Sequence, residues 1–395
     1  MLDVWPAFPL VILCFGWPGI GNVDNVVAVL ERSNRVCQIF LSEVSSSDLE
    51  KASAAMQVPF PELTHLQLGL LRSHEKTVRV LPDSFLDGSA FRLRHLYFSG
   101  IPFPGLPKLL SSATHLVDLT LYDIPHSGYI SPEAMITALL TLTSLRSVSL
   151  EFTSPRSCPD QASRRPPPPT RIVLPDLTNF EFKGVTEYLE DLVACIDAPR
   201  LRSFDITFFN DIVFDMPQLV QFIGRTPTLN PLKKASVSFK DGTASISLTS
   251  RYHLRSQGLH VRISCSELHW QVSSVEQVCT SCLPFLFILE DLDIVEDYSG
   301  ELEWKGNIEN TQWLELLRPF TGVKNLFLSK EFARRIVPAL QELDGGRTTR
   351  VLPALENILL EGLEPSGPVW KAIGQFVATR QVTGHRISVS RWYRR

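Results

Sequence analysis

The sequence predicts an α/β fold made of strand–helix repeats, and three observations carry that expectation. First, the stretch 113–124, ATHLVDLTLYDI, sets Leu116, Leu119 and Leu121 at the spacing L-x-x-L-x-L, with polar Asp118 and Thr120 between them. Successive side chains of a strand point to opposite faces, so this alternation is what a half-buried strand needs. Second, the same frame returns along the chain with starts roughly 23 to 34 residues apart, close to the leucine-rich range of about 20 to 29. Third, apolar runs of helical length lie between the copies. A unit this small cannot bury its own apolar face, so neighbours must stack. The expected architecture is an irregular leucine-rich-repeat-like solenoid over 1–395, with a curved parallel sheet inside and helices outside.

In chain order, Leu10 to Phe15 (LVILCF) reads as a buried strand, followed by a Gly/Pro turn and a helix from Val23 to Glu31. The frame opens at Val36/Ile39/Leu41 and returns at Leu63/Leu66/Leu68, Leu93/Leu96/Phe98, Leu116/Leu119/Leu121 and Leu145/Val148/Leu150. It continues at Leu177/Phe180/Phe182, Leu201/Phe204/Ile206 and, more weakly, Leu232/Ala235/Val237. After a gap it resumes at Leu289/Leu292/Ile294, Val323/Leu326/Leu328 and Leu355/Ile358/Leu360, with Ile387 and Val389 as a last fragment. Helices are expected over Ser46–Met56, Thr186–Ile196, Met216–Ile223, Ser273–Leu283, Thr311–Leu317, Phe332–Leu343 and Val369–Thr379. Another opens at Ser131-Pro132-Glu133, where Ser is the N-cap, Pro takes the first helical position and an acid follows in the first turn.

Two stretches break the period. Residues 153–170 contain RRPPPP (Arg164 to Pro169), which cannot pair in a sheet and reads as a solvated loop. Residues 233–272 turn strand-rich: ASVSFKDGTASISL reads as a hairpin around Asp241-Gly242, and LHVRISCSELHWQV alternates again. The frame also departs from the leucine-rich consensus. The slot that usually holds Asn or Cys holds Leu71, Ile101, Ile124, Val185, Phe209 and Leu363. No asparagine ladder supports the bends, so irregular bends are expected.

Composition narrows the function classes. The chain has 395 residues, 44% hydrophobic and 20% charged, with Lys+Arg 38 against Asp+Glu 42 and a net charge of −4. That balance carries no electrostatic footprint for nucleic acid. Seven cysteines are spread without a framework, which reads as a reducing compartment, cytoplasmic or nuclear. No N-x-S/T sequon occurs. Asp3 stands where a signal peptide carries positive charge, and no apolar run near the N-terminus reaches the roughly 18 to 20 residues that span a bilayer.

The chemical motifs are loose. Gly16-x-x-Gly19-x-Gly21 (GWPGIG) follows a strand and precedes a helix, the layout of a dinucleotide-binding unit, but its spacing is not G-x-G-x-x-G and Pro18 sits inside it. Cys279-x-x-Cys282 has metal-pair spacing without a second pair, and small core residues are the better reading. His65, His95 and His115 fall in or just before the frame, one repeat position rather than a triad. Acids cluster from Glu290 to Glu303, a solvated edge able to attract a basic partner. The tail RWYRR places Trp392 and Tyr393 as an aromatic cap over the last repeat. No catalytic residue and no cofactor are expected.

The residues also carry a family resemblance. LDVWPAFPLVI, the pair LPDLTNFEFKG and APRLRSFDITFFNDI, LHWQVSSVEQVC, NTQWLELLRPFTGVKNLFLS, VPALQELDGGRTTRVLPALENILLE and FVATRQVTGHRISVSRW are the stretches concerned. Together they resemble the leucine-rich-like region of F-box proteins expanded in mushroom-forming fungi. The resemblance implies a substrate receptor of a cullin-type ubiquitin ligase, whose F-box docks a Skp-type adaptor. This sequence shows no F-box, so the adaptor is expected only if one is supplied.

The expected function is therefore protein recognition, on the outward row of strand residues. In register these are His95 and Tyr97; Asp118, Thr120 and Tyr122; Ser147, Ser149 and Glu151; Asn179, Glu181 and Lys183; Ser203 and Asp205; Asp291 and Asp293; Asn325 and Phe327; and Asn357. Tyr97, Tyr122 and Phe327 are the expected anchors, because buried rings dominate interface energetics. The competing readings are a dinucleotide-binding enzyme built on the GWPGIG unit and a truncated copy without function.

Overall fold

A computed structural model describes residues 8–15, 23–71, 80–155, 171–209, 215–229, 232–240, 242–250, 257–265, 267–283, 285–296, 308–342, 351–362, 367–382 and 384–392. The chain divides into two compact units, Met1–Arg202 with Arg225–Thr228, and Ser203–Gly224 with Leu229–Arg395.

The first unit runs β1 (Leu10–Phe15), α1 (Val23–Leu30), β2 (Val36–Val44), α2 (Ser46–Ala55), β3 (His65–Leu70), β4 (His95–Ser99), α3 (Leu106–Ser112) and β5 (Asp118–Ile124). It continues with α4 (Pro132–Leu139), β6 (Ser147–Phe152), β7 (Ile172–Val173), β8 (Asn179–Gly184), α5 (Thr186–Ala194) and β9 (Ile196–Asp197). Its strands lie in the order β1-β2-β3-β4-β5-β6-β8, each pair parallel, while β7 and β9 form a small parallel pair of their own.

The frame explains the stacking. Leu116 and Leu119 are 0% exposed and Leu121 4%. In several frames the first leucine also closes a tight turn: the amide of Leu93 donates to Ala90 O at 3.1 Å, Leu116 to Ala113 O at 2.9 Å and Leu145 to Leu142 O at 3.2 Å. In these copies that turn leads the chain directly into its strand. Helix starts are locally encoded: Ser131 Oγ accepts from the Ala134 amide at 3.2 Å, and Ser45 Oγ from the Asp48 amide at 3.2 Å. Each cap satisfies a donor that the helix leaves open.

The bends are irregular, as the missing Asn/Cys slot implied, and the backbone shows their substitute. Glu43, Asp123, Gly100 and Gly362 have φ of 55°, 51°, 71° and 58°. Each stands two residues after the last apolar residue of its frame. The left-handed residue reverses the alternation once, so Val44 and Ile124 turn into the core at 7% and 8% exposure, and the sheet register shifts at both places.

The second unit runs β10 (Ser203–Phe208), α6 (Pro217–Gly224), β11 (Lys234–Lys240), β12 (Thr243–Thr249), β13 (Gly258–Ser264), α7 (Leu268–Ser281) and β14 (Asp291–Glu296). Then come α8 (Asn310–Leu317), β15 (Asn325–Leu328), α9 (Lys330–Gln341), β16 (Asn357–Glu361), α10 (Pro368–Val382) and β17 (Ser388–Trp392). Its order is β10-β13-β12-β11-β14-β15-β16-β17. The strand after β10 does not pair with it. Instead β11 and β12 form an antiparallel hairpin, and β13 returns antiparallel to β12 and parallel to β10. Two extra strands are thus inserted, and β11 still meets β14 in parallel.

Three local differences separate the structure from the sequence reading. LHWQV is helical rather than alternating: α7 opens at Leu268, and Leu268, Val272, Val275 and Cys279 are all buried, at helical spacings of i, i+4, i+7 and i+11. The helix α3 was not anticipated, because LPKLLSS is short and carries no side-chain cap. Trp392 does not cap the core. It lies on β17 with its ring 5.4 Å from Phe327, in the T-shaped arrangement. GWPGIG, RRPPPP, Asp241 and Tyr393 lie outside the described residues.

Candidate interaction surface

Along every strand, one row faces the core and the other does not, and the sequence-predicted residues all fall on the second row. In the first unit, His95, Asp118, Ser147 and Asn179 stand side by side, as do Tyr97, Thr120, Ser149 and Glu181. Glu151 lies opposite Lys183, and Tyr122 next to Ser99.

This row is braced by its own contacts. His95 Nδ1 lies 2.6 Å from Asp118 Oδ2, and its ring stacks on His65 at 4.3 Å. Burial, then the neighbouring charges of His95 and Arg94, hold the His65 imidazole below its ordinary pKa. Tyr97 and Tyr122 pack edge to face at 5.7 Å. Tyr122 Oη donates to Glu181 Oε2 at 3.1 Å, and Ser149 Oγ donates to the same oxygen at 3.2 Å. Burial raises the pKa of Tyr122, so its hydroxyl stays a donor. Burial first, then the Glu181 charge, pushes the Glu151 carboxyl above its ordinary 4.5, against the partial relief of Lys183 Nζ at 3.7 Å.

A raised acid favours the protonated form in the folded state, so ionised Glu151 lowers stability at neutral pH. Glu151→Gln is therefore expected to raise the melting temperature at pH 7.5. The gain should be at most about 1 kcal/mol after solvent screening. It should shrink as the pH falls through the raised folded value and below the ordinary 4.5, as the carboxyl becomes protonated in both states. Thermal melts across that range check it; a loss of stability at pH 7.5 would show that the Lys183 pair outweighs burial.

In the second unit, Ser203 Oγ donates to Asp205 Oδ2 at 2.9 Å, and Arg262 Nη2 lies 3.4 Å from Asp205 Oδ1. His260 stands opposite Asp205 across β10 and β13, and burial lowers its pKa. Further along, an amide ladder crosses four strands: Asn325 Nδ2 donates to Asp291 Oδ1 at 2.6 Å, Asn357 Nδ2 to Asn325 Oδ1 at 2.8 Å, and Ser388 Oγ to Asn357 Oδ1 at 2.5 Å. Lys234 Nζ bridges to Asp293 Oδ2 at 2.5 Å and lies over the Phe327 ring at 5.5 Å.

Not every residue of the row is open. Ser149, Ser203, Asp291 and Asp293 are 5, 9, 9 and 7% exposed. They position neighbours rather than present themselves. The sequence reading stopped short at the other end, where the same face holds Gln38, Phe40, His65 and Gln67, in register with the predicted residues. The intervening positions of the first two frames already carried that signal. On β1, Val11, Leu13 and Phe15 are exposed on this face too, at 51, 60 and 66%.

The cysteine pair Cys279 and Cys282 lies in the core, both buried at 1% exposure, and burial drives the Cys279 thiol far above its usual range. Among the described residues no group of His, Cys, Asp and Glu is placed to hold a metal ion, and no helix is long and apolar enough to cross a membrane.

What the two units define is a class: α/β, with parallel strands alternating with helices on a leucine-rich-repeat-like frame. No protein-family model matches the chain, and no curated protein matches it. Among solved structures it is similar to the leucine-rich repeat-containing protein LegL7 from Legionella pneumophila. The identity is 11%, over 93% of this chain and 97% of that one, with a TM-score of 0.32.

Proposed function

We propose that the chain is a non-enzymatic protein-interaction scaffold, a single array that binds its partner on the open strand row. The observation that supports this most is the set of half-buried rings, Tyr97, Tyr122 and Phe327, each fixed by ring, carboxylate or ammonium contacts yet not covered. Rigid amphipathic rings surrounded by polar groups are what hot spots require. Around them, His95, Asp118, Thr120, Ser147, Glu151, Asn179, Glu181, Lys183, Asp205, Asn325 and Asn357 supply the polar rim. The finer reading follows the sequence resemblance: the substrate-recognition part of an F-box receptor, working in the cytoplasm or nucleus. A Skp-type adaptor then joins only when an F-box is fused in front.

The test is affinity capture with the chain as bait, with and without a fused F-box, beside Tyr97→Ala/Tyr122→Ala/Phe327→Ala. Partners shared by both wild-type baits should drop at least about tenfold, roughly 1.4 kcal/mol, with the triple variant. Unchanged capture by a variant whose circular dichroism is intact would make the row assignment wrong. Adaptor bound by the unfused chain would sink the ligase-handle reading.

A further inference from the structure

One register row of the first unit changes chemistry from end to end. It begins at Leu13 and Phe40, passes Tyr97 and ends at Glu181. At the first end Leu13 is flanked along β1 by Val11 and Phe15, all three more than half exposed. Clustered exposure of large apolar side chains on a soluble fold marks a contact surface. At the other end the Glu181 carboxylate is held by two hydroxyl donors, Tyr122 and Ser149, beside Glu151. Lys183 is the cation bridged to Glu151, at 3.7 Å. The face there combines excess negative charge with the edges and faces of two tyrosine rings, a setting that receives an ammonium or guanidinium by ion pairing and cation–π contact.

We propose that this face binds an extended segment of a partner protein that places a lysine or arginine against Glu181, Glu151 and Tyr122 and apolar side chains against Phe40 and Leu13. The proposal rests on the protein-scaffold reading and names the partner's chemistry. Strand spacings of about 4.8 Å put five to six intervals, roughly 24 to 29 Å, between the two ends. A segment at about 3.3 Å per residue covers that in roughly seven to nine residues. The segment therefore carries its basic and apolar anchors about seven to nine positions apart. Charge selects the partner at one end, while apolar burial supplies the affinity at the other.

The probe is a phage-displayed library of random peptides of about twelve residues, long enough for that span, panned on the full chain. Enriched peptides should carry a basic residue and an apolar pair at the stated separation. Their affinity should fall at least about tenfold, or roughly 1.4 kcal/mol, in Glu181→Gln and in Phe40→Ser, each checked for folding by circular dichroism. Glu151→Gln should lose binding while melting no lower than the wild type, which separates recognition from folding. Enriched peptides that lack a basic residue but depend on Tyr97 and Tyr122 would overturn the partner class and leave the scaffold reading standing. Peptides indifferent to every substitution on this face would sink both. Failure to enrich any sequence, or self-association abolished by Leu13→Ser, would also overturn the proposal, the latter by making a second copy the occupant.

Discussion

Replacing Gly258 by alanine is expected to lower stability by more than about 3 kcal/mol, enough to disorganise the inserted strands of the second unit. Gly258 opens β13 with φ of 140°, and an added Cβ would sit 2.1 Å from Leu248 O and 3.2 Å from Leu248 C. Two penalties combine. That region of backbone space is close to glycine-only, at about 1 to 3 kcal/mol for another residue. The obstructing atom is a backbone carbonyl of β12, which moves only if the β12–β13 pairing moves. Relief by a side-chain rotation is not available. Chemical denaturation compared with Ser247→Ala, on the open row of β12, checks it. A loss below about 1 kcal/mol, the range of ordinary substitutions, would mean that the β12–β13 junction can relax. Because β13 sets His260 and Arg262 beside Asp205, the same variant should also displace the charged part of that face.

The strand frames were legible because burial is written directly into them. Leu96, Leu119, Val148, Phe180, Leu326 and Ile358 each sit at the middle apolar position, and each is buried at 2% or less. Register followed from the same source, since shifting one strand by a residue would turn its leucines to the wrong face. The order of strands in the insertion was not legible. Two antiparallel partners for β12 satisfy the same alternation as one hairpin would, and only tertiary pairing decides between them. The reach of the open row was half legible. His95, Tyr97 and Tyr122 could be assigned by counting, but their bracing depends on residues far away in sequence, such as Glu181 on Tyr122 across β5, β6 and β8. The amide ladder shows the same limit. Asn325 and Asn357 were assigned from register, yet their role in a chain of donors running from Ser388 to Asp291 needs four strands brought together.

Trp313→Ala should cost about 3 to 5 kcal/mol, the usual range for removing a buried aromatic. Trp313 is 1% exposed on α8. Its ring meets Phe239 of β11 at 6.1 Å and Phe332 of α9 at 5.8 Å, and those two rings meet each other at 5.1 Å. Three elements from separate parts of the chain thus converge on one indole, and no neighbour can fill its volume without leaving its own packing. Trp313→Phe keeps an aromatic in place and should lose only about 1 to 2 kcal/mol, within the range of ordinary core changes. Calorimetry should separate the two variants by several degrees. The cluster lies under β11, which carries Lys234 on its opposite face against Asp293 and Phe327. Loosening it should therefore raise amide exchange in β11 and β15 and weaken any partner that depends on Phe327. If Trp313→Ala instead unfolds no more easily than Trp313→Phe, the three-ring cluster is not what fixes β11 beneath the Lys234–Phe327 contact. The rigidity of that anchor would then have to come from the amide ladder beside it.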